Sequence, residues 1–284
     1  MTLEVATGKA GEVNTLLDAF ARGRHDPPYF CHFFLGRTLH DGQVEFMANS
    51  QAKVNVLATA NRYGKTTVQA GMHFHAGTYK TGAEFKYMRE DGSLNLDAFT
   101  SLKYETVHTA GEWEQASFVW EDALKLIGES PRIAALVNEY PRSKPPHIKG
   151  MNGWKWMFRT LGYNASNIDG KSIYLLSIDE AGWIENLDEM MRNVLRVRVA
   201  DVRGRIVIVG TFKPGISRDF YKIAVRASAY TGRAIGFAHQ TDEEDDGVVS
   251  VANLDSAIKK YLREFGIDLD EYKDALERGL HGSA

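Results

Sequence analysis

Apolar residues recur at helical spacing in several segments of the chain. This spacing places side chains on one face and predicts an amphipathic helix. The expected helices cover residues 11–22, 41–52 and 116–127, and a further helix runs up to residue 79 after a polar turn at 59–67. Residues 80–103 are polar and have no sustained period, so a surface loop or hairpin is expected there.

Short apolar runs between these segments predict strands. They cover residues 54–58, 104–108, 156–161, 173–178 and 205–209. The last two are continuously apolar rather than alternating, which is typical of strands that are covered on both faces. Strands that alternate with helices in this way favour an α/β fold, with a mostly parallel central sheet flanked by helices.

The chain divides into three predicted segments. Residues 1–32 form a helical leader, residues 33–232 the α/β core, and residues 233–284 a small helical lid or linker that follows an acidic loop. A length of 284 residues suits one large domain with an appendage and leaves little room for a second nucleotide-binding lobe.

The amino-acid composition excludes several classes of protein. The single cysteine, Cys31, excludes a disulfide scaffold and a thiolate zinc site, and it favours a reducing compartment such as cytoplasm. No apolar run is long enough to cross a membrane. The net charge of −3 comes from 34 basic and 37 acidic residues, so any contact with nucleic acid must be local.

The strongest chemical signal is the polar turn Thr59-Ala60-Asn61-Arg62-Tyr63-Gly64-Lys65-Thr66-Thr67, between a strand and a helix. A phosphate-binding loop needs backbone N–H groups at a helix N-terminus, a lysine for the outer phosphates, and a hydroxyl for Mg²⁺. Gly64, Lys65 and Thr66 supply these parts in order, although Thr59 stands where the usual motif has its first glycine.

A second signal is the run Ile173 to Ala181, an apolar strand that ends in Asp179 and Glu180. Successive side chains of an extended segment point to opposite sides, so the two carboxylates have different tasks. In an ATPase, one such carboxylate holds Mg²⁺ and its neighbour polarises the attacking water. The alternative is an acidic helix cap after a buried strand.

Two weaker signals accompany these motifs. Thr211 ends the strand at 205–209 and is suitable for sensing a γ-phosphate, because ligands of open α/β sheets lie beyond the carboxyl ends of strands. Gln43, in the run RTLHDGQ, has an amide that can read an adenine edge with one donor and one acceptor. Alone, Thr211 indicates only a turn and Gln43 only a surface helix.

Together these motifs resemble the large terminase subunits of tailed double-stranded DNA bacteriophages, the motors that package genomes into procapsids. The resemblance extends from Phe33 to Tyr221. It consists of the glutamine motif RTLHDGQ, the arginine-bearing Walker A loop ATANRYGKTT, the Walker B strand IYLLSIDEA and the coupling motif IVIVGTFKPG. It implies a P-loop NTPase fold of the RecA-like (ASCE) type.

The resemblance also implies a role for each motif residue. Gln43 would contact adenine and the loop from Thr59 to Thr67 would bind the phosphates of ATP. Lys65 would bind the β and γ oxygens, and Arg62 would act on the phosphates from within the same chain. Thr66 and Asp179 would hold Mg²⁺, Glu180 would activate water, and Thr211 would couple hydrolysis to movement.

Partners and location follow from the same resemblance. They are double-stranded DNA, the portal protein, the small terminase subunit and further copies of the chain in a ring, all in the host cytoplasm. A ring would allow a neighbouring subunit to supply an arginine, for which Arg132, Arg142 and Arg159 are candidates by position. Complete large terminases resemble two-part chains with a nuclease after the ATPase, and no nuclease domain is expected in these 284 residues.

Two rival functions stay open at this stage. A DEAD-like helicase, or another ATPase stimulated by nucleic acid, would account for the run Asp179-Glu180-Ala181-Gly182, but a helicase needs a second lobe. A nucleotide-binding module without hydrolysis would account for the phosphate loop alone.

Overall fold

The computed structural model describes residues 10–59, 61–89, 91, 94–141, 145–168, 171–212 and 217–231. Its strands are β1 (Val54–Ala58), β2 (Tyr104–Ala110), β3 (Val137–Glu139), β4 (His147–Gly150), β5 (Trp154–Thr160), β6 (Leu175–Asp179) and β7 (Arg205–Gly210). Within these ranges the strands form one sheet in the order β1-β7-β6-β2-β5-β4-β3. The first five strands of that order are parallel, whereas β4 and β3 are antiparallel.

Helices surround this sheet. The longer ones are α1 (Ala10–His25), α2 (Pro27–Leu35), α3 (Asp41–Asn49), α4 (Lys65–Tyr79), α6 (Trp113–Glu129) and α10 (Arg218–Thr231). Shorter ones are α5 (Leu96–Thr100), α7 (Pro131–Ala134), α8 (Leu187–Met190) and α9 (Arg196–Ala200), with a π-helical turn at Met191–Leu195 between the last two. Among the residues described, no helix has the length and apolar character needed to cross a membrane.

The prediction of an α/β fold with a mostly parallel sheet is confirmed. Each predicted strand is present within a few residues of its expected bounds, and the predicted helices correspond to α1, α3, α4 and α6. The β3–β4 hairpin was not predicted from the apolar pattern. The segment 80–103, expected to be a loop or hairpin, contains a bridge between Met88 and Leu94 and the short helix α5.

The core has two halves, one on each face of the sheet. Leu175 of β6 and Val207 of β7 belong to the cluster that contains α2, α4 and α6. Leu176 and Ile206, one position away on the same strands, belong to the cluster on the other face. Because side chains alternate along a strand, this partition also determines which residues at the strand ends face α4.

The N-terminal helices pack on the first of these clusters. Phe30 and Phe34 of α2 are buried in it together with Phe74 of α4. Trp154 and Trp156, the two tryptophans beside basic residues in the sequence, are buried there as well and are core side chains. The division at residues 32 and 232 stays a prediction, and the predicted lid at 233–284 lies outside the described residues.

Candidate active site

Three adjacent strands end at the same edge of the sheet and carry the predicted site residues. β7 lies between β1 and β6, and all three are parallel. Thr59 follows β1, Thr211 follows β7, and Asp179 ends β6. Side chains two or four positions apart on a strand lie on the same face of the sheet. Asp179 is four positions from Leu175, and Thr211 is two from Val209, so both lie on the α4 side of the sheet.

Lys65 connects the phosphate loop to the neighbouring strand. It is the first residue of α4, is only 8% exposed, and its Nζ donates a hydrogen bond of 3.0 Å to Thr211 Oγ1. The Thr211 hydroxyl lies 2.9 Å from the Thr59 carbonyl oxygen and 3.3 Å from Asn61 Oδ1. It has one proton, so it donates to one of these oxygens while it accepts from the lysine.

The outer side of the loop is held by α3. Gln43 Nε2 donates to the carbonyl oxygens of Tyr63, at 3.0 Å, and Gly64, at 3.3 Å. Its Oε1 accepts the His40 backbone N–H at 3.1 Å, and His40 Nε2 also lies 3.1 Å from the Tyr63 oxygen. Donors on the outside satisfy the loop carbonyls, which suits a loop whose N–H groups point inward at an anion. The Gln43 amide thus holds the loop in this structure, and its contact with adenine stays a prediction.

Gly64 is required by the shape of the loop. Its φ is 84°, in the left-handed region that favours glycine, and a Cβ at this position would lie 2.3 Å from Gln43 Nε2. Arg62 also has a positive φ, of 64°, and its side chain is exposed. Two left-handed residues within three positions curl the backbone ahead of α4, as an anion-binding nest requires.

Asp179 is a buried carboxyl group with a perturbed pKa. Burial raises its pKa to about 6 and the nearby Glu180 carboxylate adds to the rise. The Glu180 backbone N–H, which donates to Asp179 Oδ1 at 2.9 Å, the Gln69 amide and the Lys65 ammonium all act in the opposite direction. Because the charge of Lys65 lowers the pKa of Asp179, the lysine and the carboxyl group at the end of β6 interact electrostatically.

Removing the Asp179 charge is expected to stabilise the protein when no divalent cation is bound. The folded pKa, about 6, exceeds the ordinary 3.8, so the folded state is penalised above pH 6 and the penalty disappears as pH falls toward 4. Asp179→Asn keeps an oxygen for the Glu180 N–H and should be more stable by about 3 kcal/mol at pH 8. Urea unfolding in EDTA measures this gain, which should shrink by about half at pH 5. A gain that is absent, or that does not depend on pH, would contradict the assigned pKa.

Glu180 has a strained backbone next to this carboxyl group. Its φ of 47° is in the left-handed region, which costs a non-glycine residue about 1–2 kcal/mol. The following turn passes close to β7, since a Cβ on Gly182 would lie 2.2 Å from the Thr211 carbonyl oxygen. Ser217 Oγ donates to the Gly182 oxygen at 2.8 Å. The turn after the acidic strand end and the backbone of Thr211 therefore pack closely together.

The Thr211 hydroxyl is expected to matter for turnover. If this edge hydrolyses ATP as the sequence predicts, Thr211→Val should slow hydrolysis about tenfold, because it keeps the shape but removes a hydrogen bond to the loop, worth about 1.4 kcal/mol. Thr211→Ser retains the hydroxyl and is the matched control. Steady-state phosphate release from both variants measures the effect. A valine variant as active as the serine variant would show that the hydroxyl has no role.

The structure brings together most of the predicted residues. Lys65, Thr211, Asp179 and Glu180 meet at one edge of the sheet, and Thr66 and Thr67 are half-buried in the first turn of α4. Ala60 lies outside the described residues, as do residues 213–216 of the coupling motif. His73 and His75 are both buried in α4, and His73 Nε2 lies 2.7 Å from Ser177 Oγ. Sequence reasoning missed this contact and the position of Gln69.

Solved structures of one class of phage protein have a similar fold. The large terminase of bacteriophage HK97 superposes with a TM-score of 0.55 and 17% identity over 92% of this chain. The large terminase ATPase domain of Thermus phage P74-26 superposes with a TM-score of 0.51 and 14% identity over 85% of this chain and 94% of that domain. A point variant of the same domain gives the same values. The chain therefore has the fold of a large terminase ATPase domain, a P-loop NTPase fold, as the motif resemblance implied.

The chain matches only part of the HK97 large terminase. The chain corresponds to 52% of the HK97 protein, or about half of its length. No family model matches the sequence. No curated protein matches it either.

Proposed function

We propose that this chain is the ATPase motor domain of a phage large terminase, which hydrolyses ATP to move double-stranded DNA into a procapsid. One observation carries the proposal. The lysine of the phosphate loop bonds to Thr211, the residue that follows β7, and it lies near enough to the carboxylate that ends β6 to lower its pKa. The shared fold supports the same conclusion.

The residues fit an oxygen-liganded cation such as Mg²⁺. Mg²⁺ sites on nucleotides use one or two protein oxygens together with phosphate and water, rather than a cage of protein ligands. No cluster of three His, Cys, Asp or Glu side chains suitable for a metal occurs in the described part of the chain. Asp179 and Thr66 would hold the ion, whose positive charge would relieve the buried carboxylate and neutralise phosphate oxygens.

Each residue near this site has a task in phosphoryl transfer. Catalysis of this reaction consists mainly of positioning and of neutralising charge. Lys65 would leave Thr211 to bind the β and γ oxygens of ATP, and Arg62, exposed on the loop, would approach the phosphates from the same chain. Glu180 would accept a hydrogen bond from the attacking water and polarise it. Thr211, released by the lysine, would report the state of the γ-phosphate to the loop after β7.

Partners and assembly belong to the proposal as well. The motor would act as a ring with the portal protein and the small terminase subunit in the host cytoplasm. A neighbouring arginine in such a ring is worth about 10³ to 10⁵ in rate in other phosphoryl-transfer systems. Of the three candidates, Arg132 is engaged with Phe33 through a 2.8 Å hydrogen bond and a cation–π contact, and Arg142 lies outside the described residues. Arg159 is near the end of β5, toward the same edge as the site.

Phosphate release from Mg²⁺-ATP, with and without long DNA, tests the proposed function. The motor should release phosphate, and long duplex DNA should accelerate the release. Greater stimulation by single-stranded DNA, with strand separation, would instead identify a helicase. Nucleotide binding with no phosphate release under either condition would identify a non-hydrolysing module.

A further inference from the structure

One face of α4 carries a line of polar side chains toward β6. Lys65, Gln69 and His73 are spaced four residues apart, so they lie above one another on the same side of the helix. Ser177 and Asp179 are two positions apart on β6 and lie on the α4 side of the sheet. The buried interface between the phosphate-loop helix and the acidic strand therefore contains polar contacts where apolar packing is usual.

Gln69 is the unusual member of this line. It is completely buried, yet neither its amide nitrogen nor its amide oxygen has a hydrogen-bond partner of ordinary geometry among the residues described. A buried amide without partners costs about 1–3 kcal/mol, so its retention needs a physical reason. The amide lies close enough to the Asp179 carboxylate to lower its pKa. The polar group that lacks a partner is thus next to the predicted magnesium ligand.

The next turn of α4 fixes the distance between helix and strand. Ser177 Oγ lies 2.7 Å from His73 Nε2 and 2.8 Å from His108 Nδ1 of β2. The hydroxyl has a single proton, so it donates to one imidazole and accepts from the other. Burial lowers the pKa of both histidines, that of His108 to about 3, so both rings are neutral and the bonds persist at neutral pH. This contact keeps Gln69 beside Asp179.

We propose that Gln69 is a positioning residue for magnesium binding, whose amide N–H orients the Asp179 carboxylate toward the metal once the nucleotide is bound. The proposal rests on the function proposed above, in which Asp179 is a magnesium ligand. This role would explain why α4 has a glutamine at a completely buried position. Partners that orient metal ligands in this way are typically worth about 10- to 100-fold in metal affinity or activity.

The test compares affinities for a non-hydrolysed ATP analogue in EDTA and in saturating Mg²⁺. Gln69→Met and Gln69→Leu should bind the analogue in EDTA as the parent does, but lose about 10- to 100-fold of the gain that Mg²⁺ gives. Both variants should melt close to the parent, because the buried amide that they remove has no hydrogen bond of ordinary geometry within the described residues. Thr78→Val, at the far end of α4, removes a buried hydroxyl without a described partner and serves as the control.

The possible outcomes separate the inference from the function. If the parent gains affinity with Mg²⁺ and both Gln69 variants gain as much, the inference is wrong and the proposed function stands. If the variants lose affinity equally in EDTA and Mg²⁺, or melt well below the parent, Gln69 has only a structural role. If the parent does not bind the analogue, both proposals fail together. A selective loss of the magnesium gain in both variants, with Thr78→Val unchanged, is the result we expect.

Discussion

Lys65→Ala should reduce the affinity for ATP by about 100-fold or more, to the point where binding is lost in ordinary assays. Removing one partner of a buried charged contact costs about 2–5 kcal/mol, and about 1.4 kcal/mol corresponds to tenfold in affinity. The Lys65 ammonium donates a hydrogen bond to Thr211 and lowers the pKa of Asp179. A methyl group in its place leaves the phosphates and the buried carboxylate without this charge. Titration with a fluorescent ATP analogue measures the loss.

A second lysine provides the control for this experiment. Lys53 lies just before β1 and is exposed, so Lys53→Ala changes the net charge equally without touching the phosphate loop. This variant should bind as the parent does. Equal affinity of the Lys65 variant and the parent, with both folded, would mean that the loop is not the phosphate site.

Glu180→Gln should bind ATP with nearly parental affinity but turn it over about 10² to 10⁴ times more slowly, the range expected for loss of a general base. The substitution preserves size and keeps the backbone N–H that donates to Asp179 Oδ1, so Asp179, the proposed metal ligand, stays in position. The amide cannot accept the proton of the attacking water as a carboxylate does. Single-turnover hydrolysis, with binding measured on the same preparation, separates the two effects.

The matched control for Glu180→Gln is Glu185→Gln. Glu185 is exposed and follows the short turn Ala181–Trp183, so its neutralisation removes the same charge from the same region. It should leave turnover unchanged. A Glu180 variant that hydrolyses ATP at the parental rate would show that another group activates the water.

Local patterns predicted the part of the fold that builds the site. β6 and β7 are short apolar runs that end in polar residues, and their burial on both faces is what a continuous apolar run indicates. The β3–β4 hairpin could not be predicted in the same way. Each of its strands has only three or four residues with a mixed burial pattern, and the hairpin gains its stability from pairing with β5.

Residues of the candidate site could be proposed from the sequence where a single residue type is suited to the expected chemistry. A lysine after glycine at a helix start and a carboxylate at the end of a buried strand together indicate a nucleotide site, because phosphates and Mg²⁺ need both groups. Gln43 was different, since its amide turned out to hold loop carbonyls that a sequence pattern does not reveal. Gln69 was missed because a glutamine inside a helix is usually exposed. The spacing of Lys65, Gln69 and His73 on a largely buried helix was the available signal.

The most direct measurement is a structure of the protein with Mg²⁺ and a non-hydrolysed ATP analogue. We expect the triphosphate in the loop before α4, with Lys65 Nζ within hydrogen-bond distance of the γ-phosphate. We also expect the metal between Thr66 and Asp179, and Glu180 on the side from which water attacks. A nucleotide bound elsewhere on the molecule, or one that contacts Lys65 while Asp179 and Glu180 stay remote from the phosphates, would contradict the proposed function.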